Sequence, residues 1–156
     1  EGKIESGDEK KLNALKGETM AVIALCQFDL TRCFGYPYTK DNGASLGAPL
    51  IDHLVGTYEN PSRSTVAQAY DFIIETLEEA VTLMSEEKNN GRMNKYAARA
   101  LLARVYLYHN DNRKAFDMAE QLIKDVDASG SYALYPHEKY VAAWSVETKF
   151  GSESFF

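Results

Sequence analysis

The chain has little of several things. Cysteine occurs twice in 156 residues, as Cys26 and Cys33. Seven positions apart in a helical pattern, the two share a face but lie roughly 10 Å apart along the axis, too far for a disulfide. Both read as small apolar core residues, and two unpaired thiols fix no redox compartment. The three histidines are His53, His109 and His137. No two are spaced as ligands on one helix, and neither H-E-x-x-H nor Cys-x-x-Cys occurs, so no metal is expected. His109, at a helix C-terminus, reads as a favourable dipole contact. Basic residues number 17 against 23 acidic ones, with a net charge of −6. No Lys/Arg stripe forms, which excludes nucleic acid as a partner. No apolar run approaches the roughly 20 residues that span a bilayer. A signal-peptide pattern is missing as well. The chain opens EGKIESGDEKK without Met and closes ESFF, so a fragment of a longer protein is expected.

What is present is ordinary globular composition, 45% hydrophobic and 26% charged, arranged as helices. Ser6 and Glu9 have capping-box spacing, which starts a helix near Asp8. Leu12, Leu15, Val22, Ile23, Cys26, Leu30 and Cys33 then recur every three or four residues and read as its buried stripe. Gly17, inside this helix, marks a break or a close helix contact. Gly35 suits a left-handed C-cap, and Pro37 cannot continue the pattern. Residues 36–64 carry no sustained period and form a long loop; such loops are often functional. Thr65 and Gln68 make a second capping box. Val66, Tyr70, Ile73, Ile74, Leu77, Val81 and Met84 follow as a stripe opposite the solvated Gln68, Glu75, Glu78 and Glu79. Asn90-Gly91 is a turn.

A third helix runs from about Asn94 to Tyr108, apolar almost all round and therefore the most buried. Asp111 is a good N-cap for a fourth, with Ala115, Phe116, Ala119, Leu122, Ile123 and Val126 as its buried stripe. The stretch 128–156 is aromatic and irregular, with a short helix expected around Glu138–Trp144. The fold class is all-α: about four main helices in tetratricopeptide-like hairpins, one pair at 8–84 with the 36–64 loop inserted, one at 94–127. Ala103, Tyr106, Ala115 and Ala119 stand where such a repeat of about 34 residues needs small crossing residues and an aromatic wedge. The Trp and Gly positions of that consensus are absent.

Motifs that could carry chemistry are few. Gly43, Ser45 and Gly47 match G-x-S-x-G, but a nucleophile elbow needs a buried strand before it and a helix after it. Here polar YTKDN precedes and Pro49 follows, so a chance match is preferred. Asp41-Asn42-Gly43 lacks the other ligands of an EF-hand and reads as a turn. Glu78-Glu79 and Glu86-Glu87 are helix neighbours that point apart. The chain is not expected to be an enzyme, and no cofactor is expected. Exposed aromatics remain, because sugar rings stack their C–H faces on them. Tyr36, Tyr38 and Tyr58 lie on the long loop; Tyr135, Tyr140 and Trp144 lie in the C-terminal stretch. Tyr36, Tyr38 and Trp144 are the carbohydrate-binding candidates, although core packing is the preferred reading of Trp144.

The segment GETMAVIALCQFDLTRCFGYPY (Gly17, Glu18, Phe28, Asp29, Leu30, Arg32, Phe34, Gly35, Pro37) resembles the signature helix of the SusD/RagB family. Thr65, Val66, Tyr70, Asp71, Phe72, Ile73, Leu77, Glu78, Glu79 and Ala80 resemble its next helix. AARALLARVYLYHND, SYALYPHEKYVAAW and ESFF resemble later segments, in order. Ala21 and Val22 depart from a frequent Arg-Leu. The resemblance implies a SusD-like outer-membrane lipoprotein of Bacteroidetes, outward-facing, that captures a glycan for nutrient uptake without hydrolysing it. It implies a partner, a SusC-like TonB-dependent transporter, and membrane attachment only through a lipid anchor absent from this chain. The family's first segment and long C-terminal part, which carry most of its sugar platform, are absent too. This chain is then mainly scaffold, the face turned toward the transporter. The other reading is a tetratricopeptide-type protein–protein adaptor with Lys95, Arg99 and Arg104 as a carboxylate clamp.

Overall fold

The structure, a computed structural model, describes residues 8–88, 91–143 and 151–153. Four long helices are present: α1 (Glu9–Phe34), α2 (Val66–Leu83), α3 (Lys95–Tyr108) and α4 (Asn112–Ser129). Between α1 and α2 lie a 3-10 turn (Tyr38–Lys40) and two short strands, β1 (Leu46–Pro49) and β2 (Arg63–Thr65). After α4 come a second 3-10 turn (His137–Lys139) and the four-residue α5 (Tyr140–Ala143). The fold is all-α apart from that ribbon. In chain order, α1 packs on α2, α2 on α3 and α3 on α4.

Capping chemistry sets the boundaries. Thr65 and Gln68 close a reciprocal box at α2: the Thr65 hydroxyl accepts from Gln68 N–H at 3.1 Å, and the Gln68 carbonyl accepts from Thr65 N–H at 3.0 Å. Asn94 caps α3 by accepting from Ala97 N–H, and Asp111 caps α4 by accepting from Lys114 N–H. Gly130 stops α4 in the left-handed region (φ 63°), where an L side chain is disfavoured. The box expected at α1 differs. Asp8 is the N-cap and its side chain makes no cap bond, while Ser6 lies outside the described residues. Asn90 is also outside them; Gly91 takes a positive φ of 81°.

The main core gathers Ala21, Ala24 and Phe28 of α1, Ile73 and Leu77 of α2, and Leu102 and Val105 of α3, all at most 1% exposed. α3 buries seven of its residues, as its all-round apolarity predicts. A smaller cluster joins Tyr96, Leu122 and Tyr132, with the Asn94 amide donating to the Tyr132 hydroxyl at 2.6 Å. That bond fixes the irregular stretch after α4 to the start of α3.

Two stripes read as core are not. Leu12, Leu15, Val22, Ile23, Leu30 and both cysteines of α1 are exposed. The helix instead turns Gly17, Ala21, Ala24, Gln27, Phe28 and Thr31 inward. Small residues let the α1 and α2 axes approach closely, and α1 carries its larger apolar stripe on the opposite side. On α4, Ala115 and Leu122 are buried, but Phe116 and Ile123 are about as exposed as a surface residue, at 60% and 61%. α3 covers only one edge of the α4 stripe.

Candidate functional site

The loop between α1 and α2 is held far more firmly than its composition suggests. Gly35, expected in a left-handed cap, is extended (φ −108°). A Cβ there would lie 2.7 Å from the Thr31 carbonyl and 3.0 Å from Val66 Cγ2, so glycine serves close packing instead. Asn42 (φ 56°) and Gly43 (φ 76°) turn the chain back. The Gly43 and Ser45 carbonyls then accept from Ala67 and Val66 N–H, both at 2.9 Å. These are donors that a helix start leaves without intrahelical partners. β1 pairs antiparallel with β2, Leu46 facing Thr65 and Pro49 facing Arg63, with an irregularity between. The Arg63 guanidinium donates to the Gly47 carbonyl (2.7 Å) and the Leu46 carbonyl (2.9 Å).

Ser45 belongs to this turn. Its hydroxyl donates to the Asp41 carboxylate, and that bond holds the Asp41 carboxyl below its usual range. The residue precedes a strand and not a helix, the reverse of an elbow.

The loop's outer part, residues 51–60, is clasped by one imidazole. His53 bonds Asp52 through Nδ1 and Glu59 through Nε2, each at 2.7 Å, and Glu59 also accepts from Gly56 N–H at 3.1 Å. Bonding first to Asp52 and then to Glu59 raises the His53 pKa. The clasp leaves Leu54 and Tyr58 almost fully exposed, at 97% and 96%.

The candidate aromatics fall in three settings. Tyr38 is half-buried, its ring centroid 5.6 Å from that of Tyr70 and 4.2 Å from that of His109. His109 therefore packs under the loop from the end of α3, and burial pushes the neighbouring Tyr70 phenol up to about 12. Tyr36 is 57% exposed, with the Lys40 ammonium 3.0 Å from its ring centroid. The ammonium therefore caps one face of the Tyr36 ring, a cation–π contact at the surface. Lys40 was not singled out from sequence; its spacing of four from Tyr36 was the available signal. Trp144 lies outside the described residues.

The clamp of the adaptor reading does not assemble. Arg99 pairs with Asp125 at 2.7 Å and Lys95 with Glu86 at 3.3 Å. Arg104 lies 6.0 Å from the ring centres of Phe28 and Tyr108.

Gly17, Glu18, Phe28 and Arg32 of the signature segment are spent on packing, whereas Leu30 and Phe34 are exposed. Gly17 admits α2, since a Cβ there would lie 2.9 Å from the Ala80 carbonyl. Glu18 accepts from Arg92 Nε at 2.9 Å and from Met93 N–H at 3.2 Å, tying α1 to the segment before α3. Phe28 is fully buried, edge-on to Tyr70 and Tyr108. The Arg32 guanidinium lies 4.9 Å from the Tyr108 ring centre.

Known proteins match this arrangement. A SusD-like family described as "Starch-binding associating with outer membrane" matches residues 3–107. A SusD superfamily protein from Bacteroides vulgatus ATCC 8482 is 94% identical, with 99% of this chain and 35% of that one covered and a TM-score of 0.94. One from Bacteroides thetaiotaomicron VPI-5482 is 43% identical, covering 99% and 33%, with a TM-score of 0.89. A laminarin-binding SusD-like protein is 25% identical, covering 96% and 31%, with a TM-score of 0.68. No curated protein matches. The chain spans about a third of the length of these structural relatives. A family match over 105 of 156 residues (3 to 107) and a relative of 94% identity place it: the chain belongs to the SusD-like family.

Proposed function

We propose that this chain is the helical scaffold of a glycan-capturing protein at the bacterial outer-membrane surface, working beside a TonB-dependent transporter of SusC type. The observation that carries the reading is the family match over residues 3–107, whose description is starch-binding and outer-membrane associated. The laminarin-binding relative supports the polysaccharide class. No described helix is long and apolar enough to cross a membrane, and a lipid anchor outside this chain supplies the attachment. The chain binds and does not hydrolyse: Ser45 spends its hydroxyl on Asp41.

Within the chain, Tyr36 with Lys40 is the contact offered to sugar. Tyr38 acts behind it as a packed support, and Trp144 remains a candidate. Affinity electrophoresis of the full-length protein against a panel of soluble glucans tests the reading. Retardation by one glucan is expected, with Kd raised at least about threefold by Tyr36→Ala, since a stacking contact on one aromatic is worth on the order of 1 kcal/mol. Retardation unchanged in Tyr36→Ala moves the sugar site off this loop. Absence of retardation across the whole panel removes the glycan reading.

A further inference from the structure

Phe28 is fully buried, and polar-tipped side chains gather around its ring. The Tyr108 and Tyr70 ring centres lie 5.4 and 6.2 Å from that of Phe28. The Arg32 and Arg104 guanidinium carbons lie 5.3 and 6.0 Å from it. Separate helices supply them: Arg32 comes from α1, Tyr70 from α2, Arg104 and Tyr108 from α3. Each tip is a hydrogen-bond donor, and the guanidinium groups have no acceptor at all.

Two of these donors are unanswered. Arg32 is paired with Asp29 at 3.1 Å. Arg104 is exposed, and among the described residues no carboxylate reaches it. Tyr70 is only 3% exposed, yet among the described residues nothing hydrogen-bonds its hydroxyl. A buried phenol ordinarily has a partner. Burial pushes this one up to about 12, so it keeps its proton and remains a donor. The Arg32 charge and the Tyr108 phenol are the other groups that act on it, which brings the three together at one spot. Tyr108 is 42% exposed, so that spot opens to solvent.

A cluster of donors without acceptors selects an anion. One unpaired guanidinium answers one negative charge, and its planar fork matches a carboxylate, which disfavours a doubly charged phosphate. We infer that Arg104, Tyr108 and Tyr70 form a carboxylate subsite that takes the acid group of a uronic-acid unit, with the Arg32 charge beneath it. Tyr70 packs against Tyr38 with ring centres 5.6 Å apart, so the subsite adjoins the loop that presents Tyr36 and Lys40. The inference rests on the glycan reading and extends its ligand to glycans that carry acid units.

Calorimetry on the full-length protein tests it. The probes are galacturonate, glucuronate and mannuronate trimers, and each trimer after reduction of its carboxyls to neutral alcohols. At least one acid trimer should bind about tenfold or more tightly than its reduced form. Arg104→Gln and Tyr70→Phe should each remove at least about fivefold of that preference. Arg113→Gln, which removes an exposed charge on α4, should leave it in place. Tyr70→Phe should melt no lower than the parent, because the hydroxyl it removes has no partner. Equal binding of acid and reduced trimers, or a preference untouched by both variants, overturns the subsite. A lowered melting temperature in Tyr70→Phe overturns it as well, by showing that the hydroxyl is bonded within the protein. Retardation by a neutral glucan without any acid preference removes the subsite and leaves the glycan reading standing, whereas binding to neither class removes both.

Discussion

Gly17→Ala puts two opposed effects on one methyl group. In an open helix position the change is stabilising by about 1 kcal/mol, because glycine has the poorer helix propensity. At Gly17 the new Cβ would stand 2.7 Å from Met84 Cγ, 2.9 Å from the Ala80 carbonyl oxygen and 3.0 Å from Leu83 Cβ. Met84 Cγ belongs to a flexible chain and can move. The Ala80 oxygen and Leu83 Cβ cannot, since both ride on the backbone of α2. Relief therefore requires the helices to part, and overpacking of this kind costs about 1–3 kcal/mol. With two of three contacts fixed, the upper half of that range applies, and the net destabilisation is about 1–2 kcal/mol. Urea melts followed by circular dichroism should show a lower midpoint at unchanged slope. The melting temperature should fall by about 2–4 °C per kcal/mol for a domain of this size. Gly17→Val should cost more, adding two methyls and a β-branch. A raised midpoint for Gly17→Ala would refute the close contact between α1 and α2.

Three further outcomes follow from named contacts. Glu18→Ala removes the acceptor for Arg92 and for Met93 N–H; the midpoint of the same melts should fall, and an unchanged midpoint would show that the tie is idle. Thr65→Ala opens the α2 capping box and should cost about 1 kcal/mol, whereas Thr65→Ser should restore most of it. The His53 imidazole should titrate by NMR above 6.5, and Glu59 below 4.5. The sign of the linkage follows: the raised histidine gives its stabilisation in full below 6.5 and loses it as pH rises through the folded value. The lowered Asp52 and Glu59 keep theirs above 3.8 and 4.5 and lose it as pH falls through theirs. The loop clasp is thus tightest between about pH 4.5 and 6.5, and a His53 midpoint at or below 6.5 would mean that it does not form.

Helix boundaries were legible where a side chain caps its own helix. Thr65, Asn94 and Asp111 each satisfy a donor three residues on, a local contact that sequence spacing encodes. The ribbon inside 36–64 was not legible. β1 and β2 are four and three residues long and are held by Arg63 and by backbone carbonyls turned to α2, which are long-range contacts with no periodic trace. Among the carbohydrate candidates, type alone could not separate Tyr36 from Tyr38. Exposure distinguishes them, and exposure depends on Tyr70 and His109 arriving from other helices. The buried face of α1 was misread for a related reason. Ranking by hydrophobicity favours large side chains, whereas helix–helix approach is governed by small ones, and α1 carries a stripe of each.

The same distinction bears on what the signature segment encodes. Gly17 and Gly35 are small because backbone or side-chain atoms lie within 3.0 Å of where a Cβ would stand. Glu18 grips Arg92, Phe28 fills the core, and Arg32 lies over Tyr108. Each is committed to holding α1 against its neighbours, and none projects a free donor or ring toward a ligand. A sequence can therefore carry these five residues for folding reasons alone, while its glycan preference varies independently on the loop between α1 and α2 or beyond this chain. Exchanging residues 51–60 between two relatives should then leave the glucan preference set by Tyr36 and Lys40 in place and alter the melting temperature by no more than about 2 °C, because surface changes away from packed contacts cost within about 0.5 kcal/mol. A large loss of stability on that exchange would mean that the loop is part of the scaffold, and that the division between a folding signature and a binding loop is false.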